Sequence, residues 1–274
     1  MLNASVSLGR LGIDVNFISE LGKDDVGDLI VDFLESNNIN TNYIDRFSNG
    51  RSPLALAFLD KNKNASYTFY KDYPAQRLQQ QLPLISENDI MLFGSFFSIS
   101  TEVRDQVKFF VENARENGAI IIYDPNIRRS HKDEIPNMIG MIHENFSMAD
   151  IIRASNEDFE VVFDIANSID AFKLTQQHGN ASLVYTTGGD KVEVLSKNKQ
   201  MDFTVPEIDL VSTIGAGDNF NAGMIYSIIQ ENIHRNDLDT LGPLQWKNLI
   251  VSGIKCSQEV CKSYNNYIPN NFEL

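Results

Sequence analysis

The sequence contains only two cysteines among its 274 residues, and this scarcity restricts the chemistry that we expect. Cys256 and Cys261 form no Cys-x-x-Cys pair and have no histidine at ligand spacing, and they lie five residues apart in a segment that we predict to be helical. We therefore interpret both as free thiols on different faces of that helix. The start of the sequence shows no export signal, so a reducing cytoplasm is the expected compartment.

Long apolar runs and an excess of basic charge are also missing. No apolar stretch approaches the roughly 18 residues that a membrane-spanning helix requires. Lysine and arginine number 23 against 37 aspartates and glutamates, which gives a net charge of −14 and an isoelectric point of about 4.7. Such a chain repels nucleic acids and anionic membranes, so neither is an expected partner, and a bound phosphate needs local basic groups.

The composition that remains, with 42% hydrophobic and 22% charged residues, is typical of a soluble globular protein. Residues 90–93 and 119–123 are short, continuous apolar runs that end in turn residues, a pattern that predicts parallel strands buried on both faces. Strands alternate with helices almost throughout the chain. We therefore predict a single α/β domain over residues 1–274, with a doubly wound, mainly parallel sheet.

A β-hairpin interrupts this alternation. Residues 53–58 and 65–70 are rich in strand-forming residues, and the polar stretch 60–64 between them predicts a turn. A hairpin of two strands is marginal by itself, and its free edges favour pairing with another chain. We predict a small β insertion at about residues 48–75 and a homodimer formed through it.

The sequence Ser-Thr-Ile-Gly-Ala-Gly-Asp at residues 212–218 runs directly into an apolar stretch with helical periodicity. Its two glycines allow the main chain to approach a ligand closely, and a helix N-terminus offers unpaired N–H groups to an anion. Taken alone, Asp218 is best interpreted as the N-cap of the helix. The alternative is a general base that removes a proton from a hydroxyl attacking a phosphoryl group. Spacing alone does not decide between the two.

Residues 212–225 resemble the second signature of the ribokinase-like (PfkB) carbohydrate kinases, an Asp-Thr-x-Gly-Ala-Gly-Asp turn that opens a helix. The resemblance implies that Asp218 is the catalytic base for a substrate hydroxyl. It also implies that the main chain of Gly215, Ala216 and Gly217 forms the anion hole for the transferring phosphoryl group. Ser212 stands where the family usually has aspartate, which makes a monovalent-cation site at this position possible but doubtful.

The resemblance extends to the nucleotide side. Residues 183–190 are similar to the family's Thr-Leu-Gly-Ala-x-Gly turn, although the last glycine of that motif is a lysine in this chain. Thr186 and Gly188 are therefore expected along the phosphates and ribose of ATP. Thr213 lies in the glycine-rich turn at residues 212–218, which we call the catalytic turn, and is expected to contact the nucleotide as well.

A second nucleotide-side motif of the family, Asn-x-x-Glu, carries a glutamate that tunes magnesium through water. We match its first position to Asn156, and the fourth position is then Phe159. The resemblance therefore implies a magnesium contact that is either shifted to Glu157 or altered. No metal ligand is assigned from the sequence.

On the substrate side, Asn3 has the spacing of the family's first signature, in which the corresponding asparagine contacts sugar hydroxyls. The Gly-Gly pair of that signature would fall before residue 1, so we expect the chain as given to bind sugar less tightly than one that carries the pair. Residues 124–128, Asp-Pro-Asn-Ile-Arg, resemble the family's Asp-Pro-Asn-x-Arg. This match implies that Arg128 lies near the substrate or the phosphates.

These resemblances imply an ATP-dependent kinase that uses Mg²⁺ and phosphorylates a primary hydroxyl of a small sugar, with fructose as the first choice. In the family the inserted hairpin is a lid that closes over the sugar and often pairs with a second subunit. The alternatives are a nucleoside kinase of the same fold and a non-catalytic relative that binds sugar or nucleotide without turnover. The absent Gly-Gly pair and the residues at positions 159 and 212 favour this last alternative.

Overall fold

The computed structural model of the chain describes residues 1–59, 65–127, 134–197 and 199–274. The chain divides into two compact units, one made of residues 1–13 and 84–274 and the other of residues 14–83. The larger unit begins with helix α1 (Leu2–Arg10), as the spacing of its apolar residues predicts. Within the described part of the chain, no helix combines the length and the apolar character needed to cross a membrane.

The smaller unit consists of short strands and one helix. In chain order these are β1 (Val15–Asn16), β2 (Ser19–Gly22), α2 (Asp25–Glu35), β3 (Ile39–Asn40), β4 (Ile44–Phe47), β5 (Arg51–Leu59) and β6 (Ala65–Asp72). Strand β1 pairs in parallel with β3, and β2 pairs in parallel with β4. The predicted hairpin is confirmed, because β5 and β6 pair antiparallel with each other. The predicted turn at 60–64 lies outside the described residues.

Strands and helices alternate along most of the larger unit. Its strands are β7 (Ile90–Gly94), β8 (Ile120–Asp124), β9 (Ile151–Ser155), β10 (Ser182–Thr186), β11 (Lys191–Ser196) and β12 (Lys199–Thr204). They form one six-stranded sheet in chain order. Strands β7 to β10 are parallel, and β11 and β12 continue the sheet antiparallel. The mainly parallel sheet is thus confirmed, and every residue of β8 is buried, as its continuous apolar run predicts.

Helices connect these strands and complete the unit. They are α3 (Arg104–Glu116), α4 (Ile139–Met148), α5 (Asn156–Phe163), α6 (Ser168–Gln176), α7 (Ala216–Gln230) and α8 (Pro243–Cys261). Helices α7 and α8 approach each other closely, because a Cβ atom added to Gly223 would lie only 2.2 Å from the carbonyl oxygen of Ser252. The two cysteines of α8 are free and buried, which confirms that they are not paired with each other.

Candidate active site

Helix α7 begins at the glycine-rich turn that the sequence singles out. Its N-cap is Gly215, which adopts a left-handed conformation with φ of +83° and makes no side-chain cap. A Cβ atom at this position would lie 2.6 Å from the carbonyl oxygen of Asn266, so only glycine fits here. Asp218 is consequently the third residue of the helix. The interpretation of Asp218 as the N-cap is wrong, and its carboxylate is free for another role.

The carboxylate of Asp218 is almost buried, with a side-chain exposure of 10%. Its Oδ2 accepts a hydrogen bond from Nδ2 of Asn3, at 2.9 Å, and its Oδ1 lies 3.1 Å from the main-chain nitrogen of Met1. The structure therefore brings together Asn3 and Asp218, two residues that the sequence analysis assigned to the substrate side. An amide donor orients a carboxylate without protonating it, so Asp218 can still accept a proton.

The start of α7 also presents main-chain amides. The amide of Ala216 donates to the carbonyl oxygen of Thr213, at 3.2 Å. The amides of Gly217 and Asp218 have no hydrogen-bond acceptor among the described residues. Free amides at the first turn of a helix, together with the positive end of its dipole, stabilise an anion. The turn can therefore bind a phosphoryl group through the amides of Gly217 and Asp218, while the amide of Ala216 closes the turn itself.

The side chain of Asn219 stabilises this turn through hydrogen bonds. Its Nδ2 donates to the carbonyl oxygens of Gly215, at 2.7 Å, and Asn266, at 2.8 Å. Its Oδ1 accepts a hydrogen bond from the hydroxyl of Ser7 in α1. The Ser7 hydroxyl in turn accepts from the amide of Ile268, at 3.1 Å. Two separate parts of the chain, α1 and residues 266–268, are thereby connected to the first turn of α7, which stabilises the geometry of its amides.

A second polar cluster lies at the carboxyl ends of the strands. Asp124 is the last residue of β8 and is fully buried. Its Oδ2 accepts from Nδ2 of Asn221, at 2.5 Å, and lies 3.4 Å from Nη1 of Arg153. Nη2 of Arg153 donates to the hydroxyl of Thr186, at 3.0 Å. Burial raises the pKa of Asp124 to about 6, although the charge of Arg153 acts in the opposite direction.

The predicted nucleotide-side residues lie in different surroundings. Thr186 ends β10 and is buried against Arg153, whereas Gly188 is exposed in the following turn with φ of +57°. A Cβ atom at Gly188 would meet nothing within 4 Å, so the main chain here is open to a ligand. Thr213 is also exposed, and Asn156 is the first residue of α5. The main chain at Gly188 is therefore accessible to a ligand, whereas the hydroxyl of Thr186 accepts a hydrogen bond from Arg153.

The start of α5 contains the acids at which the sequence analysis expected a magnesium contact. Glu157 is exposed, and Phe159 is fully buried and stacks on Phe146 at a ring distance of 6.2 Å. The buried acid of this segment is Asp158, which accepts hydrogen bonds from Ser155 and from the amide of Ile127. Asp158 therefore completes a capping box at the start of α5, in which Ser155 is the N-cap. Among the described residues, no group of three or more histidine, cysteine, aspartate or glutamate side chains is placed to hold a metal ion.

Two members of the buried cluster, Arg153 and Asn221, were not predicted from the sequence. The signal for Arg153 was present, because it is a charged residue in the otherwise apolar strand β9. Asn221 gave no signal beyond its place in α7. The predicted phosphate partner Arg128 lies outside the described residues.

The chain is similar to known proteins along nearly its whole length. The family model described as pfkB family carbohydrate kinase matches residues 1–267. A probable fructokinase of Arabidopsis thaliana, fructokinase-3, is 26% identical over 84% of this chain and 68% of its own length. Two solved structures share the fold. Fructokinase of Xylella fastidiosa with bound ATP has a TM-score of 0.77 and 21% identity, over 96% of this chain and 83% of that one.

The second structure is aminoimidazole riboside kinase of Salmonella enterica, complexed with aminoimidazole riboside and an ATP analogue. It has a TM-score of 0.78 and 20% identity, and the match covers 98% of this chain and 88% of that one. At these identities the structural likeness describes the fold, while the family model reports on the sequence along nearly the whole chain. The chain therefore belongs to the PfkB family of carbohydrate kinases.

Proposed function

We propose that this carbohydrate kinase transfers the γ-phosphoryl group of ATP to a primary hydroxyl of fructose. The observation that carries the proposal is the position of Asp218, held by Asn3 and next to the free amides at the start of α7. The fructokinases among its similar proteins make fructose the first choice. The fully free thiols of Cys256 and Cys261 support a cytoplasmic location.

In this proposal Asp218 accepts the proton of the attacking hydroxyl as its oxygen bonds to the γ-phosphorus. The bond from the γ-phosphorus to the bridging oxygen of ADP breaks, and ADP leaves. Asn3 orients the carboxylate and the sugar hydroxyl, and the amides of Gly217 and Asp218 stabilise the charge on the transferring group. Thr186 and Gly188 are assigned to the nucleotide, with Thr213 and Asn156.

Magnesium fits this site as an ion bound mainly through ATP. In phosphoryl-transfer enzymes Mg²⁺ is usually held by phosphates, water and one or two carboxylates, so a preformed cluster of protein ligands is not required. Bound to the phosphates of ATP, Mg²⁺ would neutralise part of their charge, which matters in a chain whose net charge is −14. No ligand from this chain is assigned to it. A monovalent cation is not part of the proposal, because Ser212 stands where the family usually has aspartate and supplies no carboxylate.

Replacement of the base tests the mechanism. We expect Asp218→Asn to lower kcat by about 10²–10⁴-fold, the usual contribution of a general base. The matched control is Asp170→Asn, because Asp170 is likewise the third residue of its helix, α6, and lies on the surface. That variant should keep wild-type kcat. Turnover with ATP is measured for both, with thermal unfolding to confirm that both fold. Wild-type kcat in Asp218→Asn rules out the assigned base.

A substrate panel separates fructose from the second candidate, a nucleoside, which the fold shared with aminoimidazole riboside kinase favours. The panel contains fructose, glucose, ribose, adenosine and aminoimidazole riboside. The proposal expects the highest kcat/KM with fructose. A higher value with either nucleoside supports the second candidate, and no turnover with any sugar or nucleoside points to the non-catalytic relative.

We also propose a homodimer formed through the hairpin of β5 and β6. Apolar side chains on these strands are exposed by 43–56%, namely those of Leu54, Leu56, Phe58, Phe69 and Tyr70. A two-stranded sheet with such side chains is unstable without further packing. Light scattering should give a dimer mass that Phe58→Asp converts to a monomer mass. The control Leu244→Asp changes an exposed residue of α8 and should remain dimeric. A monomer mass for the wild type overturns the proposal.

A further inference from the structure

Arg153 connects three neighbouring strands of the sheet at their carboxyl ends. It belongs to β9, and its side chain is only 11% exposed. Its Nη2 donates to Thr186 at the end of β10, at 3.0 Å, and its Nη1 lies 3.4 Å from Asp124 at the end of β8. The guanidinium therefore lies across the edge of the sheet where α/β proteins bind their ligands.

The same guanidinium also lies against the catalytic turn. A Cβ atom added to Gly217 would be 2.6 Å from Nη1 of Arg153, so the main chain of the turn lies very close to the guanidinium. The ring of Phe220, one turn further along α7, lies 5.4 Å from the centre of the guanidinium. Asn221 of the same helix donates to Asp124. The first two turns of α7 are thus tied to the strand ends through Arg153 and Asp124.

This network is poorly suited to a purely structural role. Three of its buried atoms have no hydrogen-bond partner among the described residues, namely Nε of Arg153, Oδ1 of Asp124 and Oδ1 of Asn221. Buried polar atoms without partners reduce stability, and native proteins pair most of them. The residues are therefore better explained by the chemistry next to them.

We propose that Arg153 is a positioning residue for phosphoryl transfer. It supports the main chain at Gly217, so that the amides of Gly217 and Asp218 point at the transferring group. Its hydrogen bond to Thr186 connects this turn to β10, the strand that precedes the proposed nucleotide-binding turn at Gly188. It also places a positive charge close to the turn, which favours an anion at its amides. The inference rests on the proposed assignment of Asp218 and its turn.

The test is a comparison of Arg153→Met, Arg153→Lys and a control, Arg235→Met. Arg235 is another arginine paired with an aspartate of the sheet, Asp150, and lies outside the site. We expect Arg153→Met to lower kcat by about 10²-fold, because displacement of a catalytic group by about 1 Å can have an effect of this size. The KM for sugar should change less than about threefold, since the contact of Asn3 with Asp218 does not involve Arg153.

Rescue by the conservative variant distinguishes positioning from stability. Arg153→Lys keeps the positive charge but loses the guanidinium fork, and its kcat should lie between those of wild type and Arg153→Met. Arg235→Met should keep wild-type kcat. The inference is overturned when folded Arg153→Met has the kcat of Arg235→Met, or when Arg153→Lys has wild-type kcat and KM for ATP.

Two further outcomes are that Arg153→Met does not fold and that the assignment of Asp218 is wrong. When Arg153→Met does not fold, Arg153→Lys decides by the same criteria. When the assignment of Asp218 itself fails, Asp218→Asn retains turnover whatever the Arg153 variants show, so the two proposals fail in distinguishable ways.

Discussion

Two aspartate–arginine pairs lie at opposite edges of the same sheet, and their surroundings differ. Asp124 and Arg153 meet at the carboxyl ends of β8 and β9. Asp150 directly precedes β9, at its amino end, and pairs with Arg235 at 2.9 Å. Both pairs have the same chemical groups, and burial raises the pKa of both aspartates. A difference in role between them must therefore come from their position and their other contacts.

The pair at the amino edge has no buried side-chain atom without a hydrogen-bond partner among the described residues. Oδ1 of Asp150 accepts from Arg235 Nε, and Oδ2 accepts from the amide of Ile121, at 2.8 Å. Arg235 also donates to the carbonyl oxygen of Arg115, at 2.9 Å. At the carboxyl edge, by contrast, Asp124 and Arg153 each keep a buried atom without a partner among the described residues. Buried atoms without hydrogen-bond partners therefore occur in the pair at the carboxyl edge, where a ligand is expected. The described residues show none in the pair at the amino edge, which only joins elements of the fold.

The largest effect is expected when the contact between Arg153 and the catalytic turn is broken from the side of the turn. Gly217→Val places a branched side chain where a Cβ atom alone would already lie 2.6 Å from Arg153. The turn must then move, and its free amides lose their alignment with the phosphoryl group. We expect kcat to fall by about 10²–10³-fold, as when one oxyanion donor is lost. Steady-state kinetics with saturating ATP and sugar measure the effect.

The control for this variant is Gly140→Val in α4, because a Cβ atom at Gly140 would meet nothing within 4 Å and the residue lies outside the candidate site. It should keep kcat within a small factor of wild type. Soluble, folded Gly217→Val with undiminished phosphoryl transfer would show that the turn serves only to begin α7.

How far the sequence could predict this site depends on whether a feature is local. The catalytic turn and the hairpin are encoded by neighbouring residues, and both were predicted. The cap formed by Ser155 and Asp158 is also local, a Ser-x-x-Asp pattern that the family match to Asn156 obscured. The contacts of Arg153 are different. They depend on the register of β9 beside β8 and β10 and on the docking of α7, and no short pattern in the sequence records these.

The second prediction uses pH to weaken only the pair at the carboxyl edge. The pKa of Asp124 is raised from 3.8 to about 6. A protonated Asp124 no longer attracts Arg153, so we expect wild-type kcat to decline as the pH falls below about 6, by about tenfold at pH 5. Asp124→Asn should lack this acid limb, and Asp150→Asn should retain it. A wild-type limb that persists in Asp124→Asn assigns the titration to another group.

Stability should change in the opposite direction. Between pH 3.8 and about 6 the folded protein holds the Asp124 proton more tightly than the unfolded chain does. The contribution of Asp124 to the free energy of unfolding therefore increases as the pH falls from 7 towards 4. Thermal midpoints at pH 5 and pH 7.5 test this, because wild type should gain relative to Asp124→Asn at the lower pH. A constant difference between the two proteins contradicts the prediction.

The smallest effect is expected at the amino edge, from Arg235→Met. The side chains of Arg235 and Asp150 are 25% and 15% exposed, so water screens part of their attraction, and the amide of Ile121 still binds the carboxylate when the arginine is removed. We expect a loss of about 1 kcal/mol, which corresponds to roughly 2–4 °C in the thermal midpoint, with no change in kcat. The double variant with Asp150→Asn should lose less than the sum of the single changes, because each single change leaves one charge unpaired. A drop in kcat in Arg235→Met would mean that both edges of the sheet transmit strain to the catalytic turn, and the contrast between the two pairs would no longer hold.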